Sequence, residues 1–100
     1  MKFYLISDDR DTLTGMHLAG IEGEFVENYE DAKTAIKKAV KYENVGIILI
    51  TDSIAAHCAD IVTQIKIDSS SPLLVEIPNS SGDSKPTDSI MKIVQEAIGL

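Results

Sequence analysis

Residues Gly46-Ile47-Ile48-Leu49-Ile50 form an apolar run without alternation. A strand with one wet face alternates apolar and polar side chains. A continuous run marks a strand covered on both faces, as in the middle of a parallel sheet. Parallel neighbours are joined by long crossovers, usually helices. The run therefore predicts an α/β chain in which strands and helices alternate.

The remaining segments supply both kinds of element. Lys2 to Ser7 reads as a strand closed by the polar turn Asp8-Asp9-Arg10-Asp11. A short helix follows and ends near Gly20. Glu24 to Glu27 reads as a brief second strand with Phe25 and Val26 as its apolar part. Ala32, Ala35, Ile36, Ala39 and Val40 follow the i, i+3, i+4, i+7, i+8 spacing of a second helix that ends at Asn44. Asn28 is its N-cap, Glu30 and Asp31 suit the positive end of its dipole, and Lys33, Lys37, Lys38 and Lys41 form a solvated face. A third helix starts near Ser53 and places Ile54, Cys58, Ile61, Val62 and Ile65 on one stripe. Leu73 to Ile77 is the fourth strand, entered through Ser71-Pro72 and closed by Pro78. Asn79 to Lys85 has the composition of a loop, and a last helix runs from about Thr87 with Ile90, Ile93, Val94, Ala97 and Ile98 on one face and Gly99 as its stop.

These elements predict an α/β fold: a four-stranded parallel sheet of order 2-1-3-4 with helices on both faces, like a truncated flavodoxin or receiver domain. The weak second strand belongs at an edge. Residues 1–78 form the βα sheet core, and 79–100 the loop and C-terminal helix of the same domain. With 100 residues, of which 44% are hydrophobic, the chain has room for one small core.

The formal charge of −7 disfavours nucleic acid and anionic membrane surfaces; it would attract a basic protein partner or simply keep the chain soluble, and charge alone does not separate the two. No apolar stretch approaches the ~20 residues that span a bilayer. Met1-Lys2-Phe3-Tyr4-Leu5-Ile6 lacks a secretion signal and alternates into a strand, which points to the cytoplasm. The single Cys58 falls on an apolar helix face as a buried, inert thiol.

Few residues are arranged for chemistry. Asp11 to Ile21, just after the first strand, occupies the place where α/β proteins bind ligands. It holds only Gly15 and Gly20, and so lacks the glycine spacing of either phosphate-binding loop. Asp8, Asp9 and Asp52 converge at one carboxyl edge, as acids do around Mg²⁺ in phosphorelay receivers, and a receiver-like or small-ligand module using them is the alternative function. Against it stand the missing fifth βα unit, Ser53-Ile54 in place of Met-Pro, Ile77-Pro78 where a hydroxyl residue belongs, and a simple role for Asp52 as a helix N-cap. His17 has no acid or thiol beside it in sequence and reads as a surface or interface imidazole. His57 and Cys58 are adjacent in a helix, about 100° apart, and do not form a dyad. No catalytic, cofactor or metal residue is assigned.

Four segments in order carry a family resemblance over essentially the whole chain. Asp11-Thr12-Leu13-Thr14-Gly15-Met16-His17-Leu18-Ala19-Gly20-Ile21 resembles the D-T-x-T-G-F-x-L-A-G-[IV] signature of the F subunit of V-type and archaeal-type rotary ATPases. Gly46-Ile47-Ile48-Leu49-Ile50-Thr51 is similar to its G-I-I-L-I-T strand, Ser71-Pro72-Leu73-Leu74-Val75-Glu76-Ile77-Pro78 to its P-x-x-[VL]-E-I-P strand and turn, and Ala97-Ile98-Gly99-Leu100 to its closing A-I-G. Departures are Ser7-Asp8 where Gly-Asp is frequent, with an extra residue before Thr12, Met16 for Phe, and His17 for Arg. The resemblance implies a non-catalytic central-stalk (rotor) component of a prokaryotic ATPase or ATP synthase that moves protons or sodium ions. Such a component clasps the long coiled-coil D subunit of the stalk, carries no cofactor and lies peripheral to the membrane. The C-terminal helix, with Met91 off its core stripe, is the expected grip, through Met91, Val94, Ile98 and Leu100.

Overall fold

The computed structural model describes residues 2–68 and 72–78 of the chain. Its elements run β1 (Lys2–Ser7), α1 (Arg10–Leu18), β2 (Glu22–Phe25), α2 (Tyr29–Ala39), β3 (Val45–Thr51), α3 (Asp52–His57), α4 (Ala59–Ile67) and β4 (Leu73–Ile77). All pairings are parallel, and the sheet order is β2-β1-β3-β4, as the sequence predicts. The expected last helix and its residues Met91, Val94, Ile98 and Leu100 lie outside the described residues.

The unbroken apolar run is fully used. Side chains alternate across the sheet, so β3 feeds both faces at once. Ile48 and Ile50 join Ile6, Ile36, Ile54 and Val62 beneath α2, α3 and α4. Ile47 and Leu49 join Leu5, Met16, Val75 and Ile77 on the opposite face, which α1 covers above β1 and β2. Asn28 caps α2 as expected, its Oδ1 accepting the Asp31 N–H at 2.8 Å.

Several local boundaries differ from the sequence reading, each for a physical reason. Helix α1 starts at Arg10, inside the expected turn, because the Asp9 carboxylate accepts the Asp11 N–H at 3.0 Å and serves as N-cap. It closes in a Schellman turn: Gly20 N–H bonds the His17 carbonyl and Ile21 N–H the Met16 carbonyl, both at 3.0 Å, with Gly20 at φ 86°. This closure sets β2 at Glu22–Phe25 rather than 24–27; Val26 is buried just past the strand, its N–H still on the Ser7 carbonyl. Helix α2 ends at Ala39 instead of Asn44, and the chain turns back through Tyr42, whose carbonyl receives the Val45 N–H.

The expected third helix is two helices broken at Cys58 (φ −115°, ψ 31°). The His57 Nδ1–H donates to the Ser53 carbonyl at 2.9 Å, so a side chain enters the backbone ladder there. The apolar stripe survives the break: Ile54, Cys58, Val62 and Ile65 are all buried, and Ile61 packs against them partly buried. The expected N-cap role of Asp52 is not what the structure shows. Asp52 is the first helical residue and Thr51 holds the cap position, without a side-chain cap bond.

Candidate functional site

The carboxyl edge of the sheet is where a ligand would enter, and there β1 and β3 deliver Ser7, Asp8, Asp9, Thr51, Asp52 and Ser53. Three of these side chains, Asp8, Thr51 and Ser53, bond one another, while Ser7 and Asp9 bond within their own segment. Asp8 accepts the Thr51 hydroxyl at 2.8 Å and the Ser53 hydroxyl at 2.5 Å, one on each carboxylate oxygen. Asp9 accepts, besides the Asp11 N–H, the hydroxyl of buried Thr12 at 3.1 Å. The Ser7 hydroxyl accepts the Asp9 N–H at 2.9 Å and donates to the Asp9 carbonyl at 2.7 Å. Among the described residues, every buried side-chain nitrogen or oxygen has a partner.

This geometry separates the three expected acids. Asp8 fastens β1 to the start of α3, Asp9 starts α1, and Asp52 is exposed. Among the described residues no three His, Cys, Asp or Glu side chains are grouped so as to hold a metal ion. The hydroxyls that occupy Asp8 come from a segment 43 to 45 residues away. Sequence reading missed this network because nothing local marks Thr51 and Ser53 as partners of β1.

The other candidates are placed plainly. His57 is exposed and stacks on Tyr29, with ring centroids 3.8 Å apart and planes within 5°. Cys58 is buried, its thiol directed at the Tyr29 carbonyl at 3.9 Å, and burial pushes the thiol pKa up. The two side chains thus serve different environments and form no dyad. His17 is exposed near the end of α1, as expected of a surface imidazole. Beside it Leu18 is 85% exposed, and with Leu13, Thr14 and Gly23 they line a cleft of about 230 Å³ between α1 and β2. Sequence reasoning did not single out Leu18; its helical spacing, two residues from buried Met16, was the available signal.

On the other side of β2, the Tyr4 hydroxyl donates to Glu24 Oε1 at 3.1 Å, and its ring meets Tyr42 edge-on at 5.3 Å. Burial, then the Glu24 charge, holds the Tyr4 hydroxyl well above its ordinary pKa of 10.0. Arg10 stacks 4.1 Å above the Phe25 ring and ties α1 to β2.

Fold and site together define a class: a small parallel α/β domain whose strand-end acids Asp8 and Asp9 are hydrogen-bonded to neighbouring side chains. The chain belongs to the family of the ATP synthase (F/14-kDa) subunit, whose model matches residues 4–94. It is 36% identical over 97 residues to the A-type ATP synthase F subunit of Methanosphaera stadtmanae, covering 95% of this chain and 91% of that protein. It is 33% identical over 101 residues to the corresponding A-type ATP synthase F subunit of Pyrococcus abyssi (96% and 93% covered) and 31% identical over 94 residues to that of Methanothermobacter thermautotrophicus (92% and 88% covered). Among the described residues no helix is long and apolar enough to cross a membrane.

Proposed function

We propose that this ATP synthase component is a non-catalytic part of the central stalk, peripheral to the membrane on its cytoplasmic side. It is held by the coiled-coil D subunit and turns with it while other subunits make or hydrolyse ATP. The observation that carries the reading is the carboxyl edge. In a domain of nucleotide-binding shape, the acids Asp8 and Asp9 at the strand end are bonded to Thr51, Ser53 and Thr12. A rotor part needs stiffness and a firm grip. The twice-covered sheet supplies stiffness, and an acidic surface suits a basic partner. The grip includes the C-terminal residues Met91, Val94, Ile98 and Leu100.

The test is co-purification with the coiled-coil stalk partner from the native host, together with calorimetry against ATP. Recovery of a long helical partner and no ATP binding in the micromolar range is the expected result. Micromolar nucleotide binding at an intact strand-end site overturns it. Met91→Lys should lower affinity for the coiled-coil partner by about 1–2 kcal/mol while the variant stays folded. Unchanged affinity removes Met91 from the interface.

A further inference from the structure

We propose that the outer edge of β2, with the cleft beside α1, is a docking surface for a partner helix carrying an apolar ridge flanked by arginine or lysine. This rests on the stalk reading above and gives that reading a second contact, made by residues other than the C-terminal ones.

Three observations converge on this edge. Leu18 is the most exposed large apolar side chain among the described residues, at 85%, whereas Met16 on the same helix is buried. Its neighbours make the 230 Å³ cleft, whose lining is apolar at Leu13, Leu18 and Gly23 and which has room for an aliphatic side chain. Across the strand lies a second cleft of about 200 Å³, between β2 and α2, lined by Glu24, Asp31 and Lys38 among others. The strand between them is the sheet edge and carries Glu22 and Glu24, with Glu27 just beyond it.

Charge selects the occupant. A second copy would set this row of carboxylates against its own, a device by which edge strands resist self-pairing. A basic partner gains from the same row. Length then selects a helix over a strand, because β2 is only 4 residues long and offers a short ladder for strand addition. A helix crossing the edge can set an apolar side chain beside Leu18 and basic side chains by Glu22, Glu24 and Asp31.

The experiment titrates the purified coiled-coil stalk partner of the same organism into the full chain, at low and high salt. Leu18→Lys suits a helix C-terminus and should leave the melting temperature unchanged. It is expected to weaken binding about tenfold or more. The double variant Glu22→Lys, Glu27→Lys should weaken binding and flatten its salt dependence. Ile67→Lys, at an exposed site on α4, should bind like the wild type. If the wild type binds and the folded edge variants match it within twofold, the docking surface is wrong and the stalk reading stands. If Ile67→Lys loses as much affinity as Leu18→Lys, the assignment to this edge is equally wrong. Absence of wild-type binding overturns both. Strong new protection of the β2 amides from hydrogen exchange would reveal strand addition and overturn the helical occupant.

Discussion

Gly20 and Gly23 are three residues apart and are glycines for different reasons. Gly20 sits at φ 86° with nothing near an added Cβ, so a side chain there meets conformational strain alone. Gly23 has ordinary φ, but a Cβ would lie 2.5 Å from the Leu5 carbonyl oxygen and 2.8 Å from the Leu5 Cβ. Gly20→Ala should cost about 1–2 kcal/mol, the left-handed penalty for an L residue. Gly23→Ala should cost more, because the clash is with backbone of the neighbouring strand and β2 must shift to relieve it. Urea denaturation of the two variants checks the order; equal losses would mean that β2 yields freely. Tyr4 gives a pH test. Its raised pKa means that the fold holds the neutral phenol, so its contribution is fully present below the ordinary value of 10.0 and is lost as pH rises beyond it. Stability should therefore fall more steeply above pH 10 in the wild type than in Tyr4→Phe. Parallel alkaline profiles would remove Tyr4 from the linkage.

At the scale of elements, Asp8 and Asp9, two of the three acids that invite a catalytic reading, are structural fasteners. Asp9 and Asn28 both cap helices, yet their loss should differ. Asn28→Ala removes an exposed cap and should cost about 1 kcal/mol. Asp9→Ala also strips the buried Thr12 hydroxyl of its acceptor, adding a desolvation penalty of about 1–3 kcal/mol. Asp8→Ala should be comparably damaging, since buried Thr51 loses its partner and β1 its tie to α3. Thermal melts of the three variants test this ranking, and an Asp9→Ala loss no greater than that of Asn28→Ala would contradict it. The helices were legible where spacing carries them: the stripe of α2 and the buried positions of α3 and α4 follow i, i+3, i+4. Their breaks were not, because the distortion at Cys58 accompanies an imidazole bonding a backbone carbonyl, which hydrophobic spacing does not encode.

Over the whole molecule, parallel topology sorts charge along the strand axis. Every helix that returns antiparallel to the strands starts at the carboxyl edge, where helix dipoles favour acids. Asp8, Asp9, Asp11, Glu27, Glu30, Asp31 and Asp52 lie there, while Lys37 and Lys38 sit in the last turn of α2 at the other end. Association with the basic stalk partner proposed above should therefore be steered: its on-rate should fall with ionic strength while its off-rate changes little. Stopped-flow mixing at several salt concentrations measures both, and a salt-independent on-rate would remove steering from the account.

The sequence by itself determined that the sheet is parallel and covered on both faces, which strand lies at its weak edge, and which faces of α2, α3 and α4 are buried. These follow from periodicity within a dozen residues, and burial has the same period as the element that carries it. Only the tertiary structure decided what Asp8, Asp9 and Asp52 do. Asp8 meets Thr51 and Ser53 because β1 and β3 pair with Ile6 opposite Ile50, so their ends arrive together. It also decided that Leu18, one apolar residue among several in α1, is left outside. The Schellman turn at Gly20 ends the helix just past that point and sends the chain into an edge strand with no further strand beyond it among the described residues. Contacts between residues far apart depend on register and closure, which local spacing does not specify.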